Sequence, residues 1–515
     1  MARHLLGGRV TNRDKNTRIR EMGGHEAYQT AIHTLDQYRG TVVACTYCLP
    51  PNLARPEGLE TLQSKFYDAV ARVVLAQPHL QVGIADENSK TPVFVRLDRL
   101  DLRNHVSWKP LGDSSHLEPL YLESMQTQLD SRYDHLDTQP GWRLIILHKV
   151  GAESMEVLYG WNHPHHDGMS GKIFHQQLLR NLNETFTQNK EPIPNVTQGS
   201  DSWIINLPDC SDKLPPNPEL LSSWPMKPAF LLKTLWKELK PPSIFPPDNT
   251  HATWAPIKAS PFATRFRTFT VDADTVAKLV GACRPHHTTL TGLVQALVLV
   301  YLTSALEDVE GFASMTPYDL RHILPSHPPQ YPWLQPKDSM CNYVSIVDHE
   351  HDAELVATIR SKIPAQVMDA SLPADIMEIV WSVSARVRQE IKARLDSGLL
   401  NDMIGIMKFV SDWRTQQQSK ARKARHLSWV VTNLGVIDGG ISNTRRGQEE
   451  ESWALRRAEL VLGADIASAV FAVSMMTVKD GQMSVTCSWQ DCVVDPALGE
   501  RLVGSLERWL NGIVA

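Results

Sequence analysis

The chain has 515 residues, of which 42% are hydrophobic and 21% are charged, and its formal net charge is −5. This balance is typical of a globular protein, and the length predicts more than one domain. The lack of a basic excess argues against a nucleic-acid partner. The sequence has no uninterrupted apolar run of about 18 residues, so we expect no transmembrane segment. Its seven scattered cysteines fit a reducing compartment, and we expect a cytoplasmic protein.

The first part of the chain alternates strand and helix patterns. Residues 41–49 are rich in β-formers, and apolar residues at helical spacing predict a helix over 62–75. Two further strands are predicted at 143–149 and 155–161, and the turn-forming residues between them indicate a hairpin. A second helix follows, and the apolar positions on one of its faces are Ile173, Phe174, Leu178, Leu182 and Phe186.

The second part of the chain begins after a change in composition. Prolines accumulate across residues 187–262, which indicates a long crossover with short structured pieces. Strand and helix patterns resume beyond it. Strands are predicted at 264–271, 312–316, 342–347, 427–434, 469–478 and 483–489, and helices at 274–283, at 289–306, within 352–397 and at 497–513.

These patterns predict four segments. An N-terminal tail covers residues 1–20, an N-terminal domain 21–190, a proline-rich crossover 191–262 and a C-terminal domain 263–515. Because both domains combine strands with helices, we predict an α+β fold in which each domain has a mixed β-sheet flanked by helices.

The sequence WNHPHHDGMSG at residues 161–171 lies between a predicted strand and a predicted helix. A strand end, a tight Asp167-Gly168 turn and a helix starting at Ser170 would hold the His163 imidazole at a fixed point. A general base requires such placement, and a neutral imidazole with an ordinary pKa of about 6.5 can take the proton of an alcohol. Because Asp167 comes one residue before a glycine, we expect it to point away from His163 and to lock the loop through an arginine.

Three other interpretations of this motif exist. Neighbouring side chains of an extended segment alternate faces, so the three histidines of the motif are poorly placed to converge on an ion, and we expect no metal site. Ser170 does not lie in a Gly-x-Ser-x-Gly elbow, which argues against a nucleophilic serine. A polar turn whose histidines only satisfy backbone groups stays open on these residues alone.

The pattern His163-x-x-x-Asp167-Gly168 is similar to the active-site motif of the chloramphenicol-acetyltransferase-like superfamily, which includes plant BAHD acyltransferases and nonribosomal-peptide condensation domains. Further stretches resemble the fungal alcohol acetyltransferase branch in the same order, namely GHEAY at 24–28, HTLDQY at 33–38, YDLR at 318–321 and TNLG at 432–435. The resemblance covers nearly the whole chain. The plant-branch sequence DFGWG is absent, and Asn162 stands where a second histidine often precedes the catalytic one.

This resemblance implies two chloramphenicol-acetyltransferase-like domains with a tunnel between them, in which His163 is the catalytic base and Asp167-Gly168 completes the motif. It also implies a salt bridge from Asp167 to Arg321 that ties the motif loop to the second domain. Candidates for contacts with an oxyanion or a substrate are backbone groups near Gly168 and the side chains of Asn433, Tyr343 and Ser170.

The function implied by the resemblance is acyl-coenzyme A-dependent O-acylation. Acetyl-coenzyme A would be a co-substrate rather than a bound cofactor, the acceptor would be a small-molecule alcohol such as a secondary metabolite, and the enzyme would be a monomer. Two alternatives stay open. The fold could serve condensation, cyclisation or release of a carrier-bound intermediate, or it could bind a ligand without catalysis.

Overall fold

The structure is a computed structural model that describes residues 17–112, 117–187, 196–199, 202–239, 247–363, 372–440 and 452–514. Its strands are, in chain order, β1 (Arg18–Glu21), β2 (Thr41–Cys48), β3 (Val82–Ala85), β4 (Val93–Arg96), β5 (Arg99–Asp101), β6 (Val106–Leu111), β7 (Trp142–Lys149), β8 (Ser154–Trp161), β9 (Val196–Gly199), β10 (Ser202–Asn206), β11 (Thr264–Val271), β12 (Phe312–Asp319), β13 (Val344–His351), β14 (Trp429–Ile437), β15 (Ala454–Leu462), β16 (Phe471–Val478) and β17 (Met483–Gln490).

The α-helices lie between these strands and after the last one. They are α1 (Gly24–Thr34), α2 (Leu59–Ala76), α3 (Leu117–Asp130), α4 (Gly168–Thr187), α5 (Pro218–Leu221), α6 (Pro228–Leu239), α7 (Ala273–Cys283), α8 (Leu290–Ala305), α9 (Ala353–Lys362), α10 (Ala374–Asp396), α11 (Met403–Met407), α12 (Trp413–Lys420) and α13 (Pro496–Gly512).

Two large mixed sheets organise the chain. One has five strands in the order β15-β2-β8-β7-β6, and the other has six in the order β11-β17-β16-β14-β12-β13. Most neighbouring strands are antiparallel, whereas β6–β7, β12–β14 and β14–β16 are parallel. Two three-stranded sheets, β1-β4-β3 and β5-β10-β9, accompany them. The predicted α+β class, with mixed sheets flanked by helices, is confirmed.

The five-stranded sheet is buried on both faces because helices cover each of them. Along β2, Val43 and Tyr47 belong to the core shared with α2 and α4, whereas Val42 and Ala44 face the smaller core beneath α3. Successive side chains of a strand alternate between faces, so an uninterrupted apolar run is what a doubly covered strand requires. This explains why the sequence pattern of residues 41–49 predicts a strand.

The six-stranded sheet packs against α8, α10 and α13. All of α8 from Gly292 to Thr303 is buried, and a helix that is apolar all round belongs inside a core. Among the described residues, no helix combines the length and the apolar character needed to cross a bilayer.

Strand β15 connects the two halves of the chain. It comes from the segment predicted to form the C-terminal domain, yet it pairs antiparallel with β2 along Ala454–Leu462 and forms the edge of the N-terminal sheet. The sequence pattern did not predict this strand, because Arg456, Arg457 and Glu459 interrupt its apolar residues. Glu459 is nevertheless 1% exposed, since Arg457 and the Tyr121 hydroxyl bind its carboxylate.

The predicted segment boundaries stay a prediction, but two of the predicted segments, the tail and the crossover, contain residues that form strands. Arg18–Glu21 forms β1 against β4, so the tail predicted over 1–20 ends before residue 18. The crossover predicted over 191–262 contains β10, which pairs with β5 of the N-terminal part. The pattern also missed α1, α3 and β6. Residues 1–16, 191–195, 364–371 and 441–451 and the side chain of Phe186 lie outside the described residues.

The packing of α4 on the five-stranded sheet depends on a glycine. A Cβ atom on Gly171 would lie 2.6 Å from the Trp161 ring and 2.7 Å from a methyl group of Val43. Trp161 is fully buried and has no space to move into. The absence of a side chain at this position therefore sets how closely the motif helix approaches β2 and β8.

We predict that Gly171→Ala lowers the free energy of unfolding by about 1–3 kcal/mol, because overpacking a filled core forces strain on its neighbours. Urea denaturation measures this change. Gly281→Ala is the matched control, since this helical glycine in α7 has no atom within 4 Å of the added Cβ. Alanine there should be neutral or slightly stabilising, and equal losses in the two variants would contradict the packing argument.

Candidate active site

The motif loop leaves β8 after Trp161 and enters α4 at Gly168. The loop turns because the His165 backbone N–H donates to the Asn162 carbonyl oxygen at 3.3 Å, and the Asn162 N–H donates to the Gly141 carbonyl oxygen at 2.9 Å. A Cβ atom on Gly141 would lie 2.2 Å from Asn162 Oδ1, so only glycine allows this approach. The loop is thus anchored at its start to the β7 side of the sheet.

Asp167 anchors the other end of the loop by capping α4. Its Oδ1 accepts hydrogen bonds from the Ser170 backbone N–H and from the Ser170 hydroxyl, both at 2.9 Å. This is the contact of an N-cap residue, which satisfies a backbone donor that the first helical turn leaves unpaired. The helix begins at Gly168, two residues earlier than the sequence pattern predicted.

Arg321 binds the same carboxylate with two of its nitrogens. Nη1 donates to Asp167 Oδ2 at 2.6 Å and Nη2 to Oδ1 at 3.0 Å, and the side chains are only 1% and 2% exposed. Nη1 also reaches Asp319 Oδ1 at 3.0 Å, and Nη2 donates to the Cys341 carbonyl oxygen at 2.9 Å. This two-point geometry holds both groups in fixed orientations. The motif loop is therefore tied to the segment that follows β12.

The electrostatics of this pair favour the charged carboxylate. Burial by itself raises the pKa of Asp167, but the charge and hydrogen bonds of Arg321, with N–H donors from Ser170 and Tyr343, outweigh it and leave that pKa below its usual value. Burial likewise works against the Arg321 cation, yet Asp167 raises the Arg321 pKa well above its ordinary value. Asp167 is therefore an ionised anchor and a weak base, and Arg321, Ser170 and the Tyr343 N–H already occupy its two oxygens.

Backbone and side-chain hydrogen bonds fix a short segment before β13 to the motif. The Cys341 N–H donates to Ser170 Oγ at 3.0 Å, and the Tyr343 N–H donates to Asp167 Oδ2 at 2.9 Å. Asn342 Nδ2 donates to the His163 carbonyl oxygen at 2.7 Å. Sequence reasoning placed a strand at 342–347 but missed the contribution of Asn342, since a single asparagine at a strand start carries no pattern.

His163 differs from the other motif side chains in its accessibility. The residue is only partly buried, and its ring meets the edge of Tyr38 with centroids 5.8 Å apart. Within the described part of the chain, Nε2 has no hydrogen-bond partner, whereas Nδ1 lies 3.1 Å from Asn342 Nδ2. Desolvation, followed by repulsion from the nearby His25, lowers the pKa of His163 to about 4, although Asp167 opposes this shift. The ring is therefore neutral at pH 7, with one nitrogen available.

The two other motif histidines turn into the N-terminal core. His165 Nδ1 lies 2.7 Å from Asn162 Oδ1, and its Nε2 lies 3.2 Å from the Val82 carbonyl oxygen. His166 Nδ1 lies 3.2 Å from the Tyr159 hydroxyl. Both rings are fully buried, and burial lowers the pKa of His165 to about 3 and that of His166 well below its ordinary value. They build the loop and do not face the same space as His163.

The remaining candidates from the sequence are engaged elsewhere. The Ser170 hydroxyl belongs to the Asp167 cap, and the Tyr343 hydroxyl donates to the Pro216 carbonyl oxygen at 2.7 Å. Asn433 is exposed, and its Oδ1 accepts the Gly435 N–H at 2.8 Å. Gly168 packs against Leu434, where an added Cβ would lie 3.0 Å from a Leu434 methyl carbon. Contacts to an oxyanion or a substrate therefore stay a prediction for these residues.

In the residue ranges covered by the structure, no group of three or more His, Cys, Asp or Glu side chains is arranged to hold a metal ion. Near the motif, Asp167 and Asp319 pair with Arg321, and hydrogen bonds already occupy these groups. What the described arrangement offers chemically is one neutral imidazole nitrogen held by a rigid loop.

Comparisons with solved structures define the class of fold. The trichothecene 15-O-acetyltransferase TRI3 from Fusarium sporotrichioides superposes with a TM-score of 0.69 at 13% identity, over 96% of this chain and 95% of that one. The first condensation domain of the calcium-dependent antibiotic synthetase gives a TM-score of 0.58 at 10% identity, over 96% of each chain. The fold is therefore the two-domain chloramphenicol-acetyltransferase-like architecture shared by such acetyltransferases and condensation domains.

Sequence comparisons identify the family within this class. The family model described as alcohol acetyltransferase matches residues 121–504. A Fusarium pseudograminearum protein named probable alcohol acetyltransferase FCK4 is 28% identical over 511 residues, covering 96% of this chain and 95% of that protein. An Aspergillus fumigatus protein named probable alcohol acetyltransferase crmB is 24% identical over 497 residues, with 93% and 96% covered. The chain belongs to the alcohol acetyltransferase family, as the sequence motifs predicted.

We predict that Asp167→Asn lowers the free energy of unfolding by about 3–5 kcal/mol, because it leaves the Arg321 cation buried without its main counter-charge. Chemical denaturation at pH 7 measures the loss. Asp272→Asn is the matched control: Asp272 also caps a helix, through the Thr275 N–H, but it is exposed and asparagine keeps the cap. Because the folded-state pKa of Asp167 is depressed, the stabilisation that its charge provides is present above about pH 4 and is lost as the pH falls below that value. The stabilities of Asp167→Asn and Asp272→Asn should therefore converge in acid.

We predict that the protein loses stability steeply as the pH falls from about 6.5 to 5. The cause is a set of histidines whose pKa values desolvation depresses, namely His25, His33, His79, His105, His163, His165, His166 and His175. Unfolding returns each to an ordinary pKa near 6.5, so the unfolded chain takes up protons that the folded chain excludes. Each proton contributes about 1.4 kcal/mol per pH unit. Urea titrations at pH 8, 7, 6 and 5 should give a slope of more than one proton below pH 6, and equal stability at pH 8 and pH 5 would contradict this account.

Proposed function

We propose that this protein transfers an acetyl group from acetyl-coenzyme A to the hydroxyl of a small-molecule acceptor, with His163 as the general base. Membership of the alcohol acetyltransferase family supports the reaction class. The observation that carries the residue assignment is the unpartnered Nε2 of a half-buried, neutral imidazole, whereas the unpartnered Asn162 Nδ2 and His166 Nε2 of the same loop are fully buried.

The reaction follows from that nitrogen. The acceptor hydroxyl donates its proton to His163 Nε2 while its oxygen attacks the thioester carbonyl carbon and forms a tetrahedral oxyanion. Collapse of this intermediate breaks the carbon–sulfur bond, and the protonated ring returns the proton to the departing thiolate, which leaves as coenzyme A thiol beside the new ester. A general base of this kind contributes roughly 10²–10⁴-fold to the rate.

The low pKa of His163 determines the protonation state of the ring before and after the proton transfer. Desolvation holds it at about 4, so the ring is almost entirely in the neutral, proton-accepting form at pH 7. The same desolvation makes the imidazolium unstable, which favours prompt return of the proton to the thiolate. The transfer therefore needs no covalent acyl-enzyme and no second acid, in agreement with the ionised and fully bonded state of Asp167.

The acceptor class rests on the relatives. The structural neighbour TRI3 is described as a trichothecene 15-O-acetyltransferase. We infer an acceptor of this general kind, a small secondary-metabolite alcohol, and a thioester donor that reaches His163 from the opposite side. The condensation-domain neighbours have lower TM-scores, between 0.56 and 0.58 for two of them, and nothing in the described site favours a carrier-bound donor over free acetyl-coenzyme A.

We predict that His163→Asn abolishes acceptor-dependent release of coenzyme A thiol, with a loss of about 10²–10⁴-fold, because asparagine cannot accept the proton. A thiol-reactive dye with acetyl-coenzyme A and a panel of alcohols measures this release, and mass spectrometry identifies the ester. His287→Asn is the control, since His287 is exposed and its φ of 50° suits asparagine. Undiminished turnover in a folded His163→Asn variant would end the assignment, and turnover only with acetyl-carrier protein would favour the condensation alternative.

A further inference from the structure

Strand β11 forms one edge of the six-stranded sheet, and β17 is its only neighbour among the described strands. One hydrogen bond at its start shows which way its backbone groups point: the Asp491 N–H donates to the Ala263 carbonyl oxygen at 3.0 Å. In an antiparallel pair, alternate residues direct both backbone groups to the partner strand. The N–H and C=O groups of residues 265, 267 and 269 therefore face β17, whereas those of residues 264, 266, 268 and 270 face the open edge.

Along this open edge, the first outward N–H is already bonded. The Asp130 carboxylate, at the end of α3, accepts the Thr264 N–H at 3.1 Å. Within the residue ranges that the structure covers, the outward backbone groups of Phe266, Thr268 and Thr270 have no hydrogen-bond partner in the protein. A row of such groups is a template on which another extended chain can pair.

A groove follows the same edge of the sheet. Every residue of the chain from Ala263 to Thr270 lines it. The larger part of the groove has a volume of about 760 Å³ and the smaller part about 320 Å³, and Phe266 and Arg267 line both parts, so the groove is continuous. Because a strand advances about 3.3 Å per residue, an edge of this length accommodates an extended segment of about seven residues.

Two helices limit what can reach the edge. Leu117 and Tyr121 of α3 line the groove together with Val503 and Gly504 of α13, and both helices pack against β11. The edge of a second sheet would meet these helices before it reached the strand. A single extended chain, in contrast, fits between them.

The charges of the groove favour a basic occupant. Glu118, Glu156 and Glu507 line it, and no salt bridge engages any of the three within the described part of the molecule. The carboxylate of Glu156 is nearly buried and accepts hydrogen bonds from the Thr46 hydroxyl. A lysine or arginine side chain of a bound segment would supply the missing positive charge.

The arginines of the larger part of the groove do not supply this charge. Arg267 Nε binds Glu500 Oε2 at 2.7 Å, and Arg457 Nη2 binds Glu459 Oε2 at 2.5 Å. Each of them is therefore already neutralised by another carboxylate, and the groove keeps its acidic excess.

We propose that this groove binds an extended, basic segment of a partner protein as an additional strand on β11. The main chain of that segment pairs with the outward groups of Phe266, Thr268 and Thr270, and its basic side chains reach the unpaired carboxylates. The proposal is independent of acetyl transfer, because no residue of the motif at 161–171 lines the groove.

The first test isolates the backbone contact. Fluorescence anisotropy measures the Kd of labelled peptides of about seven residues, in which lysine alternates with valine, isoleucine, threonine or tyrosine. Thr268→Pro removes an outward N–H but no hydrogen bond to β17, and an edge strand tolerates proline at such a position. Thr268→Val is the matched control, since it loses the same hydroxyl contact with Thr486 but keeps the N–H.

The second test isolates the charge. Glu118→Lys and Glu123→Lys are a matched pair on α3, because both glutamates are exposed but only Glu118 lines the groove. Hydrogen–deuterium exchange of the β11 segment, with and without peptide, then reports whether the strand itself is engaged. The charge pair and the exchange measurement decide the matter if Thr268→Pro does not fold.

We expect Thr268→Pro to weaken peptide binding at least about fivefold relative to Thr268→Val, because a carbonyl of the bound peptide loses its donor. Glu118→Lys should weaken binding about 3- to 10-fold relative to Glu123→Lys, since a repulsion replaces an attraction. Exchange of the β11 segment should slow when peptide binds.

Equal affinities within each pair of variants, or exchange that peptide leaves unchanged, would overturn the proposal. So would binding of spermine without binding of any peptide in the panel, which would identify a site for small cations. A dimer in sedimentation velocity that Thr268→Pro dissociates and Thr268→Val does not would show that a second copy of the chain occupies the edge, and it would overturn the proposal as well.

Discussion

The buried ion pair between Asp167 and Arg321 is the contact on which the rest of the site depends. Removing two charges from water is costly, and such a pair persists in a core only when further hydrogen bonds satisfy it. Here Ser170, Tyr343 N–H, Asp319 and the Cys341 carbonyl oxygen supply them. The pair fixes the orientation of the loop after β8 relative to the segment after β12. An apolar contact would not fix this orientation so narrowly.

This arrangement divides the polar groups into two kinds. Most are buried and engaged in the loop or the core: Asp167 with its arginine and its cap, His165 and His166 with the N-terminal core, and the Tyr343 hydroxyl with Pro216. Among the described motif side chains, His163 combines a nitrogen that has no hydrogen-bond partner with partial exposure, whereas the unpartnered Asn162 Nδ2 and His166 Nε2 are buried. Because its surroundings are rigid and one of its nitrogens is accessible, this base is buried enough to stay neutral and accessible enough to react.

How much of the fold and of the site could be predicted from the sequence depends on how far apart in the chain the interacting residues lie. Local periodicity found β2, β8, α4 and α8, because their apolar positions are continuous or regularly spaced. The motif and its resemblance pointed to His163 and to the partnership of Asp167 with Arg321, 154 residues apart. The hydrogen bond between Asn342 and His25 escaped, since it depends on tertiary packing across 317 residues and on amide orientation, neither of which leaves a periodic signal. Strand β15 escaped because its charged residues pair only after folding.

Strand β15 also determines how the N-terminal part of the chain behaves when the C-terminal part is missing. Without Ala454–Leu462, β2 would keep β8 on one side but lose its neighbour on the other, and would present a row of unpaired backbone groups beside Val42, Val43 and Ala44. A long, flat, apolar edge of this kind recruits strands from other molecules. A polypeptide that stops at the proline-rich crossover therefore exposes an unpaired strand edge, and self-association of nascent N-terminal halves is suppressed only once Ala454–Leu462 has been synthesised.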